Sequence, residues 1–254
     1  MTPDVVVDIG NSRMKWGRCL PTVADGGWVS LPPDDLNAWE DQAADWRIEP
    51  GAWWAIGGVN PAVVEAFTRW VEAGGGTVVV FRKPSALPIA LAVDEPDAVG
   101  IDRVFGAIAA RSLVPPGTPA ITVDVGTAVT VNLVDAAGVF QGGAILPGPT
   151  LMARSLHDYT AKLPRVELHA LPEEDSPGKN TTSAIRRGIR FAVCGAFVQL
   201  SSEFADACTV PPHLFVTGGG MDLLAGYRLP WVARMGLVPT LNLEGIRIAA
   251  GALP

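Results

Sequence analysis

Three aspartates carry the chemistry that this sequence suggests. Asp8 ends the run VVVDIGNS (residues 5–12), and Asp124 ends ITVDVGTA (residues 121–128). Each follows β-branched residues and precedes one apolar residue, a glycine and small polar residues. A carboxylate at the end of a buried strand, beside a turn with accessible N–H groups, suits a metal ion held by few protein oxygens and by substrate phosphates. Either aspartate alone reads first as the cap of its own turn. Their separation, 124 − 8 = 116 positions, is close to half of the 254-residue chain, which favours a shared role. The third aspartate is Asp102, in VGIDR (residues 99–103), which leads into VFGAIAARSL with helical spacing of small and apolar residues. Gly100 reads as a strained helix entry, with Asp102 in the first turn and Arg103 beside it. A helix N-terminus stabilises a carboxylate, so Asp102 is expected to be ionised at neutral pH. Near a substrate hydroxyl, such a group can orient it and take its proton during attack on a phosphoryl group. Simple capping of the helix is the competing reading.

The turns beside the first two aspartates add to the pattern. Gly10, Asn11 and Ser12 offer backbone N–H groups to a phosphate, and Lys15, on the returning strand, can reach the same phosphate. Gly126, Thr127 and Thr130 offer the same around Asp124. No G-x-x-x-x-G-K-[ST] occurs, which excludes a P-loop, and no G-x-G-x-x-G follows the first strand, which disfavours a Rossmann dinucleotide site. Thr217–Gly220 (TGGG) forms a glycine-rich strand-to-helix turn of the kind that admits a flat or charged group against the backbone. The glycines of QGGAILPG (residues 141–148) read first as structural. Thr181 and Thr182 sit where a helix begins, so either hydroxyl can cap it or reach a polar ligand. Trp53, Trp54 and Trp231 read as core or interface.

The elements that must position these groups occur in two sets. In the first, strands are expected in the β-branched run of residues 5–12 and at Met14–Leu20, Trp53–Ile56 and Thr77–Phe81, with a helix over Asn60–Ala73. In the second, strands are expected in the β-branched run of residues 121–128 and at Val129–Val134, Val139–Ile145 and Leu214–Thr217, with a helix over Thr181–Phe204. Two similar sets of mixed elements predict an α/β protein with two lobes facing a cleft. Prolines 115, 116 and 119 mark the boundary, giving lobes 1–115 and 116–254. Residues 21–50 and 82–99 are expected to be loops, and residues 164–180 a mobile polar loop.

Composition narrows the class. Hydrophobic residues make up 48% and charged residues 18%, enough for a substantial core and too apolar for wholesale disorder. The formal charge of −7 argues against a nucleic-acid partner. It leaves nucleotides open, because helix ends, glycine turns and metal ions hold phosphates without net positive charge. Cys19, Cys194 and Cys208 have no C-x-x-C spacing, and His157, His169 and His213 form no zinc motif, so neither disulfides nor a histidine metal site is expected. The N-terminus lacks the pattern of a signal peptide, and no apolar run reaches the roughly 18 residues of a membrane span. No membrane association and a cytoplasmic location are expected.

The ordered set DIGNSRMKWG, VGIDR, VDVGTAVT…GGAILPG, GKNTTSAI and TGGG resembles the type III pantothenate kinase family, from Asp8 to Gly245. That family belongs to the acetate/sugar kinase, Hsp70 and actin superfamily. The resemblance implies two ribonuclease H-like lobes with a nucleotide cleft between them. It implies phosphorylation of pantothenate by ATP with Mg²⁺, the first step toward coenzyme A, in a homodimer that uses a monovalent cation, K⁺ or NH₄⁺. By position, Asp8, Ile9, Gly10, Asn11, Ser12, Arg13, Met14 and Lys15 match the first phosphate-binding motif, with Asp8 near Mg²⁺. Gly100, Ile101, Asp102 and Arg103 match the pantothenate motif, Asp102 being the catalytic base. Asp124 matches the cation position, Thr127 an ATP contact and Thr181 a substrate contact. Three positions depart from the pattern: Val93 stands where a tyrosine is common, Gly106 where an asparagine is common, and Asn132 where an aspartate is common. The departures keep two alternatives in view, a non-catalytic nucleotide-binding regulatory relative and a kinase for another small hydroxy acid.

Overall fold

A computed structural model describes residues 1–168 and 177–253. In chain order the elements are β1 (Val5–Ile9), β2 (Met14–Arg18), α1 (Val23–Gly26), β3 (Trp28–Leu31), α2 (Leu36–Asp45), β4 (Trp53–Gly58), α3 (Pro61–Ala73), β5 (Thr77–Val80), α4 (Ile101–Ser112), β6 (Ala120–Val125), β7 (Ala128–Val134), β8 (Phe140–Pro147), α5 (Pro149–Asp158), α6 (Thr181–Asp206), β9 (His213–Thr217), β10 (Arg234–Leu237) and α7 (Leu241–Gly251). The chain forms two compact units: Met1–Pro115 with Gly138–Gln141 and Thr240–Pro254, and Pro116–Ala137 with Gly142–Pro239.

The first unit holds a five-stranded sheet ordered β3-β2-β1-β4-β5. The β1–β2 and β2–β3 pairs are antiparallel, and β1–β4 and β4–β5 are parallel. β1 is flanked by strands on both sides and all five of its residues are buried, which is why it reads as an unbroken β-branched run. One face of the sheet carries Val5, Val7, Ile9, Met14 and Trp16 into a core with Trp39, Trp54 and Phe67. Trp16 is fully buried and meets Trp54 edge-on at 5.2 Å between ring centroids. Such aromatic pairs add about 0.5–1.5 kcal/mol beyond the area they bury. α3 packs here through Val64, Phe67 and Val71, and its start is fixed by Asn60, whose side chain accepts from the Val63 amide, followed by Pro61 at the first helical position.

The opposite face of this sheet lies against α4 and α7. Gly57 and Gly17 make room there: a Cβ at Gly57 would press on the Phe105 ring, and one at Gly17 would lie 3.2 Å from Leu243. α4 and α7 themselves touch backbone to backbone, because a Cβ at Gly245 would sit 2.8 Å from Phe105 Cα. That contact, with Leu241, Leu243 and Ile246 buried, places the C-terminal helix in the first unit, whereas the boundary read from the prolines assigned residues 240–254 to the second lobe.

The second unit repeats the arrangement with the sheet order β10-β9-β6-β7-β8. β6–β7 is antiparallel, and β6–β9 and β9–β10 are parallel. Its core has an aliphatic sheet face: Ile121, Val123, Val125, Val129 and Val131 pack on Val193 and Phe197 of α6 and on Leu214 and Val216. Both units therefore carry the ribonuclease H-like strand order that the resemblance implies.

Several elements were absent from the sequence reading. Residues 21–50, expected to be loop, contain α1, β3 and α2; α2 buries only Trp39, so its apolar period is weak. α5, α7 and β10 were also missed. Within the expected mobile loop 164–180, Val166 is instead buried with Ala153, Ile185 and Ile189, and the Arg186 guanidinium donates to the Glu167 carbonyl. The middle of that stretch, with His169, lies outside the described residues. No helix among the described residues is long and apolar enough to cross a membrane.

Candidate functional site

Asp8 is the fourth residue of β1, and antiparallel register sets it directly opposite Lys15 of β2. Opposed residues share a face, so one carboxylate and one ammonium-bearing chain project together beside the turn. That turn runs over residues 10–13 and closes with the Gly10 amide donating to the Arg13 carbonyl at 3.0 Å. A Cβ at Gly10 would lie 2.9 Å from the same carbonyl, so the tight closure requires glycine. Asn11, Ser12 and Arg13 are exposed. Asp8 is only 9% exposed and accepts a 3.4 Å hydrogen bond from Nδ2 of Asn242, near the start of α7.

Three residues of the phosphate motif have specific positions that sequence order did not convey. Ile9 and Met14 turn their side chains into the aromatic core, where Met14 Sδ accepts from Trp16 Nε1 at 2.9 Å, so only their backbone can meet a ligand. The Arg13 guanidinium is engaged with Ser30 of β3, through Nε to Oγ at 3.0 Å and through Nη2 to the Ser30 carbonyl.

Asp102 and Arg103 open α4, with Gly100 at the N-cap and no side-chain cap. Asp102 is therefore inside the first turn, not at the cap. Its Oδ1 accepts from the Arg103 amide at 2.9 Å, and a Cβ at Gly100 would lie 2.7 Å from Oδ1. Gly100 leaves the space into which this carboxylate folds. Arg103 extends over the ring of Phe140, 5.6 Å from its centroid. Burial pulls its guanidinium below the ordinary arginine range, an effect that Asp102 partly opposes. Phe140 also ties down the segment ahead of Val93, donating its amide to Ala90 O and accepting from Ala92 N, both at 2.9 Å. Ile101 is buried.

In the second unit Asp124 faces Thr130 of β7 and Thr217 of β9 in register. Thr122, Thr130, Asn132 and Thr217 are buried polar groups, and Asn132 Nδ2 donates to Thr122 Oγ1 at 3.2 Å and Thr130 Oγ1 at 3.4 Å. The turn after β6 has only Gly126 and the exposed Thr127, and closes from Gly126 N to Ala128 O at 3.0 Å. Gly218 lies against the Asp124 carboxylate with φ +92°, and a Cβ there would lie 2.6 Å from both Val125 N and Val125 O. The Asp124 carboxylate and the Val125 carbonyl oxygen, with the Val125 amide, thus close around a spot where no side chain fits. Among the described residues no three His, Cys, Asp or Glu side chains form a ready-made metal cage. A divalent ion at Asp8 would thus rely on one carboxylate and on phosphate oxygens, a common way of binding Mg²⁺.

Thr181 is the exposed first residue of α6. Neither Thr181 nor Thr182 caps that helix. Asn180 does, in a capping box with Ser183, so the cap expected from a threonine hydroxyl belongs to the residue before.

A family described as type III pantothenate kinase matches residues 5–203. The chain belongs to the type III pantothenate kinase family. A relative of that name from Halorhodospira halophila is 33% identical over 253 residues, covering 95% of each chain. Another, from Synechococcus elongatus, is 33% identical over 255 residues, covering 98% of this chain and 97% of its own. Among solved structures, a Sinorhizobium meliloti protein carrying the name 2-dehydro-3-deoxygalactonokinase shares the fold with a TM-score of 0.55 at 14% identity, covering 98% of this chain and 96% of its own. The family's three departures fall at distinct places. Val93 follows the segment pinned to Phe140, Asn132 is tied to Thr122 and Thr130, and Gly106 lies under Asn242, whose Oδ1 would be 3.0 Å from a Cβ there.

Proposed function

We propose that this protein transfers the γ-phosphoryl group of ATP to the primary hydroxyl of pantothenate, giving 4'-phosphopantothenate and ADP, the first step of coenzyme A biosynthesis. The observation that carries the reading is membership of the type III pantothenate kinase family, with curated relatives aligned along nearly the whole chain. Asp102 accepts the hydroxyl proton as the oxygen attacks phosphorus and the β–γ bridging oxygen leaves with ADP. Arg103, held over Phe140, balances charge on the substrate or the transferring group. Gly100 and Ile101 complete the pantothenate contact, and Thr181 adds a hydroxyl. Asp8, the 10–13 turn and Lys15 hold phosphates, and Thr127 contacts ATP. Mg²⁺ near Asp8 would neutralise phosphate charge, and K⁺ or NH₄⁺ at Asp124 would do so from the second unit's glycine cradle. The reading includes a cytoplasmic homodimer; exposed Ile145, Leu151 and Phe191 give the second unit apolar surface for another copy to cover.

The test is ADP release with and without pantothenate, in potassium and then in sodium. Pantothenate-dependent ADP that is stronger in potassium supports the reading. No pantothenate-dependent ADP in either salt refutes it and favours the nucleotide-binding regulator, while turnover restricted to another hydroxy acid favours the third alternative.

A further inference from the structure

We infer that Asn242 is a positioning residue for Asp8, and that position 106 is glycine so that the Asn242 amide can lie beside that carboxylate. The inference rests on the reading of Asp8 as the carboxylate that meets Mg²⁺-bound phosphate. Asn242 is 5% exposed and sits in the first turn of α7 between Leu241 and Leu243, both fully buried. A primary amide in such surroundings is costly to bury unless its hydrogen bonds are made, and an aliphatic residue would fill the same helix interface without that cost. Its Nδ2 donates to Asp8 Oδ2 at 3.4 Å, across 234 positions of sequence. Its Oδ1 occupies the space over Gly106, 3.0 Å from where a Cβ would stand. One end of the amide thus fixes a carboxylate oxygen while the other fills the notch that α4 leaves.

The chemistry of an amide explains the choice. A neutral donor restrains the rotation of the carboxylate yet leaves its full negative charge for a metal ion. A lysine or arginine in the same place would neutralise that charge, and an aspartate would add repulsion between carboxylates. With Asn242 on Oδ2, the carboxylate is held for metal and phosphate before either arrives.

The experiment is calorimetric binding of ATP to the full chain, with and without Mg²⁺, for the wild type, Asp8→Asn, Asn242→Ala and the double variant Gly106→Asn/Asn242→Ala. A lost hydrogen bond to a charged group predicts that Asn242→Ala weakens Mg²⁺–ATP binding about tenfold. Binding of ATP without Mg²⁺ should move little, a split that a merely structural role would not produce. The double variant returns an amide from the facing helix to the vacated space and should recover most of the loss. Asn242→Ala with wild-type Mg²⁺ dependence, beside an Asp8→Asn that loses it, overturns the inference alone. An Asp8→Asn variant that binds Mg²⁺–ATP normally overturns the reading of Asp8 and the inference together. If Asn242→Ala does not fold, Asn242→Ser is measured and the same outcomes decide.

Discussion

The two aspartate hairpins share a sequence pattern and differ in what stands around the carboxylate. Asp8 faces Lys15 across its hairpin, receives an amide from α7 and precedes a four-residue turn. Asp124 faces Thr130, is pressed by the backbone of Gly218 and precedes a two-residue turn. The first setting puts the carboxylate on the same sheet face as a lysine and beside a turn of exposed residues, which suits an anionic phosphate and its divalent ion. The second sets the carboxylate between two threonines in register and against the Gly218 backbone, with no cationic residue opposite it. One motif occurs twice, and residues that lie outside it give its carboxylate two different surroundings.

That contrast can be broken at the glycines. Gly218 has a left-handed φ of +92° and no room for a Cβ, whereas Gly10 needs glycine only for its close approach to the Arg13 carbonyl. Gly218→Ala is expected to cost roughly 1–3 kcal/mol of stability from backbone strain and to abolish the advantage of potassium over sodium. Gly10→Ala should leave the salt preference intact. Thermal melts and the two-salt assay check both, and a Gly218→Ala enzyme with unchanged potassium preference would remove Asp124 from cation binding.

A smaller effect concerns the first unit's buried thiol. Burial pushes Cys19 up from 9.0 to about 12, with Arg247 opposing the shift and Glu244 and Asp4 adding to it. The folded state therefore keeps this proton after the unfolded chain has lost it. The stability linked to Cys19 is complete below pH 9 and falls as pH rises from 9 toward 12. Denaturant melts across that range should show a decline that is shallower in Cys19→Ala. Equal slopes in the two proteins would contradict the burial argument.

Much of this was legible in the sequence because local pattern and tertiary role coincide. The central strands β1 and β6 are buried on both faces and read as unbroken β-branched runs, and Asn60–Pro61 announces α3. Gly100 before Asp102 likewise reports a helix entry where a carboxylate needs space. Other features depend on contacts that sequence does not display. α2 is mostly exposed and buries one tryptophan, so it lacks a clear period. α7 belongs to the first unit because Gly245 lets it meet α4, a partner 140 residues earlier (245 − 105). Asn242 sits among leucines in LNLEG, and only its position under Asp8 and over Gly106 marks it. Ile9 and Met14 matched a ligand motif but serve the aromatic core through their side chains.

The central claim is that Asp102 takes the proton from pantothenate. It is tested most directly by comparing wild type with Asp102→Asn in pantothenate-dependent ADP release at saturating substrates, with a thermal melt to verify folding. The account predicts a folded variant whose kcat falls by about 10²–10⁴, the usual loss of a positioned base. A folded Asp102→Asn protein that turns over at the wild-type rate would contradict it.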